Sequence, residues 1–196
     1  MMATTLSQVL MLVPAGLLIL LTGFFVAAEF ALVKVRATRI EELAAQNRFG
    51  ARKTREALRQ INEYLSATQL GITIATLTLG SFGEGVFEGL LHPAFAALPA
   101  GFRHAAAQGT SLLLVVVLEV VIGEMAPKTI AIQRAERVAL ALIYPLDVFY
   151  RVFRPLIALM NFLAGGVLRP FGLRLSGGHD HADTHTEAEL RLILEA

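Results

Sequence analysis

The residues best placed for chemistry in this chain are carboxylates set in apolar surroundings. Gly123-Glu124-Met125-Ala126-Pro127-Lys128 puts one of them three residues ahead of a proline. Proline has no N–H, so the carbonyl of Gly123 loses its helical partner and is free to accept from, or coordinate, something else. A free carbonyl beside a carboxylate makes a hard-oxygen cation site. An ionised acid within a bilayer costs roughly 2.5 to 3.5 kcal/mol on insertion scales, so Glu124 is expected to be paired, protonated or bound to an ion. The plainer reading is a pair with Lys128 one turn on, marking the membrane boundary.

Further oxygens accompany it. Ser66, Gln69, Thr73, Thr76, Gly80 and Gly83 recur at steps of three and four, which places them on one helix face. Such a stripe serves either close helix packing or the wall of an ion pathway. Glu29 is a second carboxylate for the same cavity or a partner of Lys34 or Lys128. Gly16, Gly23 and Ala27 share a face of its helix and permit a close neighbour. Glu119, five residues before Glu124, faces another side of its helix and suits an exit path or a subunit contact. His179, His181 and His185 with Asp180 and Asp183 have metal-ligating side chains, but a polar linker gives them no fixed geometry. No nucleophile elbow, phosphate loop or paired catalytic acid motif is present, and no enzymatic function is expected.

These residues need helices in a membrane to position them. The chain has 196 residues, 55% of them hydrophobic and 17% charged, with a mean hydropathy of +0.61. That charged share is well below the quarter usual in a soluble domain. The absence of cysteine excludes a disulfide framework and a cysteine-ligated zinc site. A net charge of +1, with basic residues confined to particular loops, points to no nucleic-acid partner. Residues 1–28 carry no charge, 64–83 is a second uncharged stretch, and 105–126 is apolar except for Glu119 and Glu124. Each is long enough to cross roughly 30 Å of hydrocarbon.

The expected fold is therefore an all-α integral membrane protein. Its transmembrane domain, 1–174, has three transmembrane helices at about 8–34, 62–84 and 104–127 and amphipathic cytoplasmic juxtamembrane helices at about 37–60 and 134–170. The first of these breaks near 47–50, and the apolar run 155–168 suits an interfacial helix better than a fourth span. Lysine and arginine concentrate in 34–59 and after 128, with only Arg103 between the second and third spans. The positive-inside rule then puts the N-terminus outside and the C-terminus in the cytoplasm of a cell (inner) membrane. Residues 175–185 read as a linker, and a capping box at Thr186 and Glu189 starts a cytoplasmic region that 186–196 leaves cut short.

Three segments together carry a family resemblance: Phe24-Phe25-Val26-Ala27-Ala28-Glu29-Phe30-Ala31-Leu32-Val33, Tyr64-Leu65-Ser66-Ala67-Thr68-Gln69-Leu70-Gly71-Ile72-Thr73 and Gly123-Glu124-Met125-Ala126-Pro127-Lys128-Thr129. In that order, each in its own span, they resemble the CNNM/CorC (cyclin M) family of magnesium transporters. The resemblance implies a homodimer, followed in full-length members by paired CBS domains, through which alone nucleotide would bind. It implies export of Mg²⁺ coupled to Na⁺ entry, with Glu124 matching the third-span acid and Glu29 the first-span acid. Val26 stands where many members have serine, Thr73 and Thr76 where several have asparagine, and Glu119 where bacterial members often have histidine.

The expectation is a Mg²⁺ exporter working by alternating access, with Glu124, the Gly123 carbonyl, Thr73, Thr76, Glu29 and Ser66 around the ion and membrane lipid around the helices. Two alternatives stand beside it. One is export of another cation such as Co²⁺ or a polyamine; the other is a membrane-anchored CBS-type sensor whose spans only dimerise.

Overall fold

A computed structural model describes residues 2–95 and 97–171, so the expected linker 175–185, the histidines within it and the helix start expected at 186–196 lie outside the described residues. Every regular element among the described residues is helical: α1 (Met2–Lys34), α2 (Ala37–Ala45), α3 (Ala51–Arg59), α4 (Ile61–Leu91), α5 (Ala100–Leu118), a π-helical segment (Glu119–Met125), α6 (Ala126–Gln133) and α7 (Ala135–Leu168), with short 3₁₀ turns at His92–Phe95 and Arg169–Phe171.

Helix α1 is the centre of the arrangement and packs against α4, the π-helical segment, α6 and α7. The largest core cluster gathers Phe25, Ala28 and Leu32 of α1, Ala57 of α3, Tyr64, Ala67 and Leu70 of α4, and Ile143, Leu146, Tyr150 and Ile157 of α7. A second cluster, Ala15, Ile19, Leu79, Phe87 and Val115, joins α1, α4 and α5 at the other end. Between α2 and α3 the chain reverses at Gly50, whose φ of 78° lies in the left-handed region. A Cβ there would sit 2.4 Å from the Leu140 carbonyl oxygen of α7, so both the turn and the contact require glycine.

Among the described residues three helices are long and apolar enough to cross a membrane: Leu12–Lys34, Phe102–Gln133 and Ala135–Phe171. The sequence likewise predicts three, but with the second at 62–84 and with 134–170 on the membrane surface. Helix α4 is 31 residues long and contains the uncharged stretch 64–83, the second span that the sequence predicts. Helix α7 is apolar on average yet carries Asp147, Arg151 and Arg154 midway along. Its buried residues Ile143, Leu146 and Tyr150 meet the C-terminal part of α1 and the N-terminal part of α4.

Candidate cation site

The helix beginning with α5 does not continue regularly to its end. At Glu119 it widens into a π-helical segment, and the Ala126 N–H donates to the Val121 carbonyl five residues back. Pro127 follows in the first turn of α6, where a missing N–H costs nothing. The irregularity that proline imposes is thus absorbed upstream, across Gly123 and Glu124. Short π-helical segments inside α-helices are frequent at functional positions.

The segment is held by backbone-to-backbone contact with α1. A Cβ added to Gly23 would lie 3.0 Å from Pro127 Cγ, 3.5 Å from the Ile122 oxygen and 3.6 Å from the Gly123 oxygen. A Cβ on Gly123 would come 3.4 Å from the Ile19 oxygen. Two glycines therefore let two helices meet without side chains between them, and the Gly123 carbonyl is brought to the face of α1. Gly16, on the same face, has open space where its side chain would be.

The carboxylates here are without partners. Glu124 is exposed and Glu119 half-buried, and among the described residues neither forms an ion pair or hydrogen bond. Lys128 lies 4.5 Å from the centroid of the Phe30 ring in a cation–π contact, so the plain pairing of Glu124 with Lys128 is not made. Glu29 is half-buried and faces Thr68 of α4, whose hydroxyl is 3.4 Å from its Oε2. That hydroxyl is closer to the Leu65 carbonyl, 2.8 Å away. One proton cannot fully serve both acceptors, so Glu29 keeps most of its capacity to bind a cation.

The α4 stripe is placed differently from these acids. Thr68, Ala75 and Leu79 are buried on the side toward α1, with Gly71 beneath the Phe25 ring. Gln69, Thr73 and Gly80 are exposed on the opposite side, with Ser66 and Thr76 half-buried. Ser66 is taken up by α7, 2.8 Å from Asn161 Oδ1 and 2.9 Å from the Asn62 carbonyl. Thr73 donates to the Gln69 carbonyl at 2.8 Å, which leaves its oxygen lone pairs available. The structure therefore brings Gly123 to the face of α1 and Glu29 to Thr68, leaves Glu124 exposed, and turns Thr73, Thr76 and Ser66 elsewhere. Thr68 is the residue that sequence reasoning missed. It lies within the second quoted segment but off the stripe, and only the α1–α4 contact singles it out.

Among the described residues no three histidine, aspartate or glutamate side chains converge as a metal-binding group. A cation at this place would rest on one carboxylate, the Gly123 carbonyl and water.

A second charged region, which no sequence pattern marks, lies where α3, α4 and α7 meet. Asp147 is buried and accepts from the Tyr64 hydroxyl at 2.6 Å, and it pairs with Lys53 at 3.0 Å and Arg151 at 2.9 Å. Lys53 also pairs with Glu56 at 2.9 Å. Tyr150 stacks on Tyr64 with centroids 4.7 Å apart and donates to Glu63. Burial disfavours the Lys53 ammonium, but the Glu56 and Asp147 carboxylates outweigh it and hold its pKa above the usual lysine value.

Comparison with known proteins shows which family the chain is similar to. The family model described as the cyclin M transmembrane N-terminal domain matches residues 15–196. The chain is 44% identical over 185 residues to UPF0053 protein YhdT of Bacillus subtilis, covering 93% of this chain and 40% of that protein. It is 42% identical over 180 residues to UPF0053 protein YrkA of the same organism, covering 91% and 41%. A cyanobacterial protein, UPF0053 protein sll0260 of Synechocystis, is 31% identical over 183 residues, covering 91% and 39%. The chain thus spans well under half the length of these relatives.

Proposed function

The chain belongs to the CNNM family, whose cyclin M transmembrane domain it carries, and on that premise we propose that it exports Mg²⁺ across the cell membrane, coupled to Na⁺ entry, by alternating access. The observation that carries the proposal is Glu124, a carboxylate without a partner among the described residues, on a π-helical segment that meets the glycine face of α1 through Gly123. An unpaired acid in an apolar helix is retained at a cost, and binding an ion is what offsets that cost.

In this reading Glu124 and the Gly123 carbonyl are the principal ligands, and Glu29 supplies the second carboxylate through the face it shares with Thr68. Thr73, Thr76 and Ser66 complete the oxygen set when α4 and the π-helical segment adopt a second arrangement, as alternating access requires. Mg²⁺ is substrate here and not a resident cofactor. The domain works as a homodimer in lipid, with its N-terminus outside and its basic segments in the cytoplasm, and nucleotide binds only to CBS domains beyond this chain. Helix α4 crosses the membrane beside α1, and α7 lies along the inner surface, where Arg151 and Arg154 reach water.

Flux tests the reading. Proteoliposomes containing the protein and loaded with a Mg²⁺-sensitive dye should report Mg²⁺ movement driven by a Na⁺ gradient, lost in Glu124→Gln and strongly reduced in Glu29→Gln. Equal flux in native and Glu124→Gln vesicles would remove the site. Flux of Co²⁺ or a polyamine in place of Mg²⁺ would keep the site and change the substrate.

A further inference from the structure

Away from the acids, at the opposite charge extreme, an open cavity of about 640 Å³ is lined by Lys34, Val35, Arg36 and Arg39 on one side and by residues 132–137 on the other. Five of its ten lining residues are cationic and one, Glu136, is acidic. Glu136 pairs with Arg39 at 3.1 Å, and Arg39 also pairs with Glu42 at 2.9 Å, so those charges are internally balanced. Lys34, Arg36, Arg134 and Arg137 form no ion pair among the described residues. The cavity therefore holds a net excess of positive charge that no anion among the described residues meets.

Two further features give that excess a ligand. The first turn of α7, a helix of 34 residues, lies in the cavity wall, and its N-cap residue Arg134 makes no side-chain capping bond. The N–H groups of that turn are left to an anion, as the positive end of a helix favours. The cavity also sits where two apolar helices finish, since Leu12–Lys34 ends at Lys34 and Phe102–Gln133 at Gln133. A pocket at that level has acyl chains on one side and water on the other, and Val35 and Ile132 give it an apolar wall.

We propose that this cavity is a binding site for the phosphate of an anionic phospholipid, held by Lys34, Arg36, Arg134 and Arg137 at the junction of α1, α6 and α7. Basic pockets between helices at the cytoplasmic membrane surface take such headgroups. The ligand is a phosphate ester carried by lipid, because the cavity opens at the level where the spans end and includes apolar as well as cationic walls. A bound headgroup would join the end of α1 to the start of α7 and so tie the α7 belt to the spans. The inference does not depend on the transport reading.

Native mass spectrometry of the purified protein, after detergent exchange and addition of equal amounts of phosphatidylglycerol and phosphatidylcholine, provides the test. The native chain should retain phosphatidylglycerol preferentially. Each cation near a membrane surface is worth about fivefold in binding, so Arg36→Gln/Arg134→Gln/Arg137→Gln should lower that retention at least about tenfold. A second triple variant with the same change of charge elsewhere, Arg48→Gln/Arg59→Gln/Arg169→Gln, should keep the preference, and size-exclusion elution of both variants checks that they remain folded. No preference in the native chain, or equal loss in the two variants, would overturn the proposal. Displacement of phosphatidylglycerol by millimolar inorganic phosphate would assign the cavity to soluble phosphate and overturn the lipid assignment.

Discussion

The acids of the π-helical segment and the charges at the α3–α4–α7 junction have the same chemistry and opposite circumstances. Asp147 is buried and meets a tyrosine, a lysine and an arginine; Glu124 lies on an apolar helix and meets no partner among the described residues. A charge whose capacity is filled by neighbours fixes a fold. On the proposed reading, a charge left open in surroundings that penalise it is kept for a cation that arrives. The difference separates the two roles where composition cannot, since both regions are carboxylates within long apolar helices.

Exchanging the roles gives the largest effects. Glu124→Gln should abolish Na⁺-dependent Mg²⁺ flux while leaving the thermal melting of the protein unchanged, because the native side chain has no protein partner to lose. Asp147→Ala should do the reverse. It leaves Lys53 with Glu56 alone and strands the buried Tyr64 hydroxyl without its acceptor, a loss of about 1–3 kcal/mol, visible as a clear fall in melting temperature. If the two variants had similar melting temperatures, the contrast between the regions would fail.

Smaller changes sharpen it. Tyr64→Phe deletes one hydrogen bond to a buried carboxylate and should cost about 1.5 kcal/mol in a melting experiment. Gly23→Ala places a methyl group 3.0 Å from Pro127 Cγ, a contact that the proline ring relieves only by a small shift of the π-helical segment. It should lower stability by about 1 kcal/mol and weaken Mg²⁺ binding severalfold, whereas the same substitution at Gly16, which faces open space, should do neither. Lys128→Gln removes only the cation–π contact with Phe30, worth about 0.5 to 1 kcal/mol, and should leave Mg²⁺ affinity unaltered. A strong change in affinity there would mean that Lys128 serves Glu124 after all.

The helical membrane class was legible because a long uncharged run such as 1–28 is poorly accommodated anywhere but in a bilayer, and the family was legible because three segments recur in order. The site was legible only in outline. Pro127 announces that the Gly123 carbonyl loses a partner, but not that the helix will widen into a π turn from Glu119 to Met125, since that depends on the close approach that Gly23 allows. The periodicity of Ser66, Thr73 and Thr76 defines a face without naming its neighbour, and in the structure α1 takes the other face, through Thr68, Gly71, Ala75 and Leu79. The apolar average of α7 gives no sign that Asp147 is buried within it. Asp147, Lys53 and Tyr64 lie far apart in sequence, and no local pattern marks them as partners.

Isothermal titration calorimetry of Mg²⁺ into the purified protein, native and Glu124→Gln, with and without Na⁺, tests the central claim most directly. The account predicts saturable binding to the native chain that weakens in Na⁺ and vanishes in the variant. Binding of equal strength in both proteins, or none in either, would contradict a Mg²⁺ site built on Glu124.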